Sequence, residues 1–253
     1  MDKTFVKGMS LLELLARSPE TRSVAELSEE LGLTKSNVYR LLATMQHLGY
    51  VKKAGHSQGF ELTSKLWQLG AMVRGKLDLI KVSQEAMVEL ERSTKETVHL
   101  SIRDGDDVVY VDKLDGSHPI KAYTSIGGRA PAWCVATGKA MLAFAPEATL
   151  ADLPSRFQPF TERSITDPAA LAEELATVRK SGFAVNKGEW REGVSGIAAP
   201  IWDVTGNVVA AIGISGPTTR FRQKDIKANS AALLSAAKAI SALLGYSGAQ
   251  TRD

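Results

Sequence analysis

Cysteine is almost missing: Cys134 is the only one in 253 residues, which excludes an intrachain disulfide and fits a reducing compartment. No apolar run approaches the ~18–20 residues that a membrane helix needs. The opening Met-Asp-Lys-Thr-Phe-Val-Lys has no apolar stretch of the kind a secretory signal requires. A cytoplasmic location without a membrane partner is therefore expected. With 21 Gly and 9 Pro, collagen-like and low-complexity structure are excluded, and 44% hydrophobic residues exclude disorder. The four histidines, His47, His56, His99 and His118, have no zinc-ligand spacing with the lone cysteine, so neither metal nor cofactor is expected.

Net charge is slight as well, at +3. Its placement is more telling. Ten basic and seven acidic side chains fall in the first 75 residues, and the remainder is balanced, so the whole excess is N-terminal. From Thr34 to Phe60 the chain has Lys35, Arg40, Lys52 and Lys53 and no carboxylate. Basic residues gathered on one element are the footprint of phosphate binding. Taken alone, the charge is equally that of a solvated helix face followed by a charged loop.

What is present in this segment is a run of three helical patterns. Phe5, Met9, Leu12 and Leu15 recur at helical spacing and stop before Ser18-Pro19. Ser23 with Glu26 three residues on forms a capping box, and Val24, Leu27 and Leu31 give the second helix one apolar face. Gly32-Leu33 is the tight joint of a helix-turn-helix, after which Thr34 caps a third helix. That helix has Val38, Leu41, Leu42, Met45 and Leu48 on its apolar side and ends at Gly49. Its polar side carries Lys35, Ser36, Asn37, Tyr39, Arg40, Thr44 and His47. Asn and Arg match adenine and guanine edges, while Lys, Ser and Tyr suit phosphates. Val51–Lys53 and Phe60–Leu62 then bracket a turn-rich stretch, a hairpin wing with Lys52, Lys53 and His56 near its tip. The candidate contacts to double-stranded DNA are Thr34, Lys35, Ser36, Asn37, Tyr39, Arg40, Thr44, Lys52, Lys53 and His56.

The organisation expected is a winged helix-turn-helix over residues 1–63, a linker helix over 64–78 and a second domain over 79–250. The linker pattern runs from Ser64 to about Leu79. Another amphipathic helix, Leu79–Ser93, opens the second domain. Strand patterns follow at Thr97–Arg103, Val108–Leu114 and Ile120–Thr124, then helices at Ala136–Ala145 and from Asp167-Pro168 to Ser181-Gly182. Val194–Trp202 and Val208–Ser215 form a strand pair across Thr205-Gly206-Asn207, and Gln223–Leu244 closes the chain as a helix. The class is α+β.

A rival from another class is a small-molecule-converting enzyme with an appended helical module. Gly138-Lys139 lacks the remainder of a phosphate loop, because Trp133 stands where the first glycine belongs and Ala140 replaces Ser/Thr. Cys134 with His99 or His118 has no local nucleophile signature, which leaves a buried or pocket-lining thiol. Glu189 and Glu192 form a carboxylate pair that suits exposed turn acids. No catalytic residue is expected.

Two stretches carry a family resemblance. One is Gly193-Val194-Ser195-Gly196-Ile197-Ala198-Ala199-Pro200-Ile201 continuing to Ile214-Ser215-Gly216-Pro217. The other is Gly128-Arg129-Ala130-Pro131 with Ala136-Thr137-Gly138-Lys139-Ala140-Met141-Leu142-Ala143. With the N-terminal segment they resemble the IclR family of bacterial transcriptional regulators over the whole chain. The resemblance implies a GAF-like C-terminal domain for effector binding and oligomerisation, a repressor or activator that forms homodimers or tetramers, a palindromic or pseudo-palindromic operator, and a small organic acid or aromatic effector. By family position the effector contacts are Ala136, Thr137, Asn186, Gly196, Gly213 and Ser215, with Trp133, Cys134 and Trp190 nearby in sequence. Asn186, Gly196 and Gly213 stand where some relatives have an acid, a cysteine and a serine. That implies a roomier, less polar pocket with aromatic walls, and an effector carboxylate held at the start of the Ala136 helix.

Overall fold

The structure, a computed structural model, describes residues 2–55, 59–75, 78–122, 124–147, 150, 153 and 157–248. It divides into two compact units, residues 1–76 and 77–253. Together they are α+β: a helix-turn-helix unit, and a unit of one antiparallel sheet with helices.

In the first unit, α1 (Lys3–Arg17) starts at Asp2, whose carboxylate accepts from Thr4 N at 2.8 Å and Phe5 N at 3.2 Å. α2 (Val24–Glu30) has the expected capping box between Ser23 and Glu26. Gly32 then takes a φ of +61°, a left-handed turn that a side chain would resist, and Thr34 caps α3 (Lys35–His47). β1 (Val51–Lys53) and β2 (Phe60–Leu62) pair as the hairpin, and an Arg22–Phe60 bridge extends it. Leu11, Leu15, Leu27, Val38, Leu42, Val51 and Phe60 form the core.

One expectation needs correction here. The buried face of α1 is Leu11 and Leu15, with Gly8 facing Met45, whereas Phe5 is 68% and Met9 42% exposed. The helix carries two overlapping apolar stripes, and the one facing α3 is a residue off the one with the larger side chains. Of the expected linker helix the structure describes α4 (Lys65–Gly75), and α5 (Asp78–Thr94) opens the second unit.

The six-stranded sheet of the second unit is antiparallel throughout, in the order β5-β4-β3-β8-β7-β6. The strands are β3 (Thr97–Asp104), β4 (Asp107–Leu114), β5 (Arg129–Pro131), β6 (Ala184–Lys187), β7 (Val194–Trp202) and β8 (Val208–Pro217). Strand alternation sorts side chains to two faces. Val98, Leu100, Ile197, Ile201, Ile212 and Ile214 join α5 and the long C-terminal helix α8 (Gln223–Leu243) in one core. Tyr110, Ala198 and Ala211 join α6 (Ala136–Leu142) and α7 (Pro168–Ser181) in the other. The second face of the central strands is unusually polar or small, with Thr97, His99 and Ser101 on β3 and Gly213 and Ser215 on β8.

The strand expected at Ile120–Thr124 does not form in the described part of that segment. Ile120 is exposed and its carbonyl accepts from the Arg220 guanidinium at 2.8 Å instead of from a strand partner. Pro119 just before it removes the donor a ladder would need. The edge strand is β5, and β6 carries Asn186 into the opposite edge.

Candidate functional site

Thr34 Oγ1 accepts from Asn37 N at 3.4 Å, which fixes where α3 begins and places its first turns outward. Lys35, Ser36, Tyr39, Arg40 and Thr44 are exposed and Asn37 is half-buried. Arg40 Nη2 donates to Asn37 Oδ1 at 3.2 Å, so the two base-reading candidates hold each other. Thr44 Oγ1 donates to the Arg40 carbonyl at 3.0 Å, turned back on its own helix. On the wing, Lys52 Nζ lies 3.0 Å from Glu61 Oε1, an acid just beyond the carboxylate-free span, while Lys53 is exposed. His56 lies outside the described residues.

These contacts set the expected outcome of substitutions on this surface. Arg40→Ala should weaken specific DNA binding by about 1–3 kcal/mol and relax sequence preference. Because Arg40 and Asn37 share a hydrogen bond, the double variant with Asn37→Ala should lose less than the sum of the two. Electrophoretic shifts on specific and scrambled duplexes read both effects. Unchanged operator binding by Arg40→Ala would place the recognition surface elsewhere. Lys53→Ala should lower the salt slope of binding by about one, and Lys52→Ala by less, because Glu61 already offsets its charge.

The second unit encloses a cavity of about 170 Å³ between the polar face of the central strands, the start of α6, the loop after β6 and the residues Lys121, Ala122 and Thr124. Of the expected effector contacts, Ala136, Asn186, Trp190, Gly196 and Ser215 are on its wall. Trp133 and Cys134 are not; both are buried in the α6–α7 core, with Trp133 packed on Phe157 at 5.4 Å between rings. Thr137 is fully buried beneath the sheet face, its Oγ1 without a protein partner.

The glycines do not enlarge the cavity, contrary to expectation. A Cβ on Gly213 would lie 2.8 Å from His99 Cε1 and 3.0 Å from Thr137 Cγ2, and one on Gly196 would lie 2.5 Å from the Ile214 carbonyl oxygen. Neighbouring atoms already occupy that space.

Sequence reasoning missed His99, Tyr110, Lys121, Thr124 and Arg191, all on the wall. The alternation of β3 put His99 on the same face as Thr97 and Ser101, and that pattern was the available signal. His99 and Tyr110 meet edge to face at 5.2 Å between rings. Burial pushes the His99 imidazole down to about 4 and the Tyr110 phenol up to about 12, so both are neutral near pH 7. Lys121 and Arg191 are exposed at the rim, and the Arg191 guanidinium lies 4.3 Å over the Trp190 ring. They are the only charged residues on the described wall, and no carboxylate faces them.

The loop that presents Trp190 and Arg191 is anchored from inside. Asn186 Oδ1 accepts from Gly188 N at 2.9 Å and Glu189 N at 3.0 Å. Glu189 is buried, not an exposed turn acid, and its Oε1 accepts from Lys139 Nζ at 2.8 Å. Lys139 is fully buried on α6 and also reaches Glu174 Oε1 at 3.1 Å. Burial raises the Glu189 carboxyl above its usual range against the pull of Lys139. Burial also drives the Cys134 thiol up to about 12, which removes the thiolate a nucleophile needs. Among the described residues no helix is long and apolar enough to cross a membrane, and no cluster of His, Cys, Asp and Glu could hold a metal ion.

The model of the IclR helix-turn-helix domain matches residues 4–55, and that of the bacterial transcriptional regulator IclR C-terminal domain matches residues 71–242. The HTH-type transcriptional regulator KdgR of Escherichia coli (strain K12) is 38% identical over 243 residues, 95% of this chain and 92% of that protein. The crystal structure of the Thermotoga maritima IclR is similar with a TM-score of 0.80 and 31% identity, over 97% of this chain and 100% of that one. The crystal structure of the C-terminal domain of E. coli KdgR gives a TM-score of 0.61 and 37% identity, covering 67% of this chain and all of that domain.

Proposed function

Because the chain belongs to the IclR family of transcriptional regulators, we propose that its pocket senses a small organic anion and that α3 reads a palindromic operator. It is an effector-responsive DNA-binding regulator and not an enzyme. The observation that carries the anion reading is the rim of the cavity, where Lys121 and Arg191 stand without an opposing carboxylate. At seven residues, α6 has too short a dipole to do this alone, so the side-chain cations take the role first given to its N-terminus.

On this reading the protein works in the cytoplasm as a homodimer or tetramer, since a palindrome matches a two-fold assembly. Effector binding shifts DNA affinity through its different affinity for two arrangements, by about 1–3 kcal/mol in typical regulators.

An acid should bind more tightly than its uncharged amide, on the order of tenfold for two partly solvated cations. Arg191→Ala should remove most of that difference. Calorimetric titration of acid and amide pairs measures it, and equal affinities refute the anion reading.

A further inference from the structure

The C-terminal end of α3 is tied directly to the start of the linker helix. After α3 the chain turns at Gly49, whose φ of +77° suits a residue without a side chain. Tyr50 N donates back to the Met45 carbonyl at 2.9 Å and closes the helix. The carbonyls of Leu48, Gly49 and Tyr50 then accept from residues on the other side of the wing. Lys65 Nζ donates to Leu48 O at 2.6 Å, Thr63 Oγ1 to Gly49 O at 2.6 Å, and Thr63 N to Tyr50 O at 2.9 Å. The Lys65 ammonium also lies 4.5 Å from the centre of the Tyr50 ring. Thr63 Oγ1 in turn accepts from Lys65 N at 3.2 Å, at the first residue of α4.

Water can serve an exposed carbonyl, so capping alone does not call for donors 14 and 17 positions away. Three adjacent bonds and a ring contact fix an angle as well. Past its first turn α4 exposes Trp67, Gln68, Leu69 and Met72, so this joint sets its direction. The joint also acts at the end of a lever. α3 has 13 residues and is about 20 Å long, and Lys35, Asn37 and Arg40 lie in the half away from the joint. A swing of about 10° moves that end by about 3 Å, close to the ~3.4 Å rise of one base pair.

We propose that Thr63 and Lys65 are positioning residues for operator reading, locking α4 to α3 so that the two turn as one body. The separation of the two half-sites is thereby fixed to the base pair. This rests on the reading of α3 as the helix that meets a palindromic operator. Two half-sites held together gain avidity only when geometry lets both be engaged, and a stiff joint confines that gain to one spacing. Neither side chain touches DNA, so a single half-site is read equally well without them. What their loss removes is the penalty for wrong spacing.

The test begins with duplexes selected by the wild-type full chain from a random-sequence library. The recovered palindrome is remade with its spacer one base pair longer and shorter, and as an isolated half-site. In electrophoretic shifts, wild type should prefer the native spacer by about tenfold or more. Thr63→Val with Lys65→Met should cut that preference to about threefold or less, with half-site affinity within about twofold of wild type and its salt slope unchanged. Lys65→Arg, which keeps a cation of similar reach, should retain the preference. An undiminished preference in the double variant overturns the proposal. So does a larger loss of half-site affinity, which makes the two residues phosphate contacts or props of the fold. A library from which wild type recovers no palindrome overturns the operator reading itself, and the proposal with it.

Discussion

Glu189→Ala is expected to destabilise the second unit by about 3–5 kcal/mol, the usual cost of leaving one member of a buried ion pair without its partner. Lys139 has no exposure at all, so its ammonium cannot turn to water when the carboxylate 2.8 Å away is removed. Glu174, at 3.1 Å and half-buried, retains part of the field and sets the lower end of the range. The loop is affected too, since Glu189 Oε1 also accepts from Lys187 N at 3.3 Å. Removing both charges, as in Lys139→Met with Glu189→Leu, should recover most of the loss, because the pair's attraction roughly offsets its desolvation. Urea unfolding followed by tryptophan emission reports this, with Trp133, Trp190 and Trp202 all in the second unit. A midpoint shared by wild type and Glu189→Ala would mean that Glu174 alone suffices.

Acidification should destabilise the same unit through His99. Its folded value of about 4 lies below the ordinary 6.5 because burial penalises the imidazolium, so the unfolded chain binds the proton first. Stability from a neutral His99 is therefore fully present above about pH 6.5 and is lost as pH falls towards 4. The loss amounts to about 3 kcal/mol by linkage. Glu189, raised by burial, tilts the other way, with stability falling as pH rises above the ordinary carboxylate range. The clean measurement is thus the difference between wild type and His99→Gln across pH 4–7. That difference should grow steadily below pH 6.5, and a flat one would mean that His99 charges freely in the folded state.

Much of the first unit was legible because its determinants are local. The Ser23–Glu26 box, the Gly32 turn and the Thr34 cap each act within a few residues. α1 was harder, since two apolar stripes lie side by side and only packing against α3 selects Leu11 and Leu15 over Phe5 and Met9. In the second unit, the strands with strong alternation were visible. Ile120–Thr124 had the residue types of a strand without a neighbour to pair with, whereas the four residues of β6 are too few to show a period. Family position led to four residues on the cavity wall, and nearness in sequence to a fifth, Trp190. It did not lead to His99, Lys121 or Arg191, nor to the burial of Glu189, whose partner Lys139 stands 50 positions away. A pair that distant leaves no trace in spacing.

The strand order has a consequence for synthesis. The two central strands are the first and last of the domain, and Thr97 must wait for Ser215 before their ladder can close. At about 5–20 residues per second on the ribosome, that delay is of the order of ten seconds. The N-terminal unit has its own core and short-range contacts, so it can mature while β3 and β4 are still without the middle of their sheet. A message truncated before β8 would then yield a chain with an intact recognition helix and no assembled cavity, able to occupy DNA and deaf to its effector.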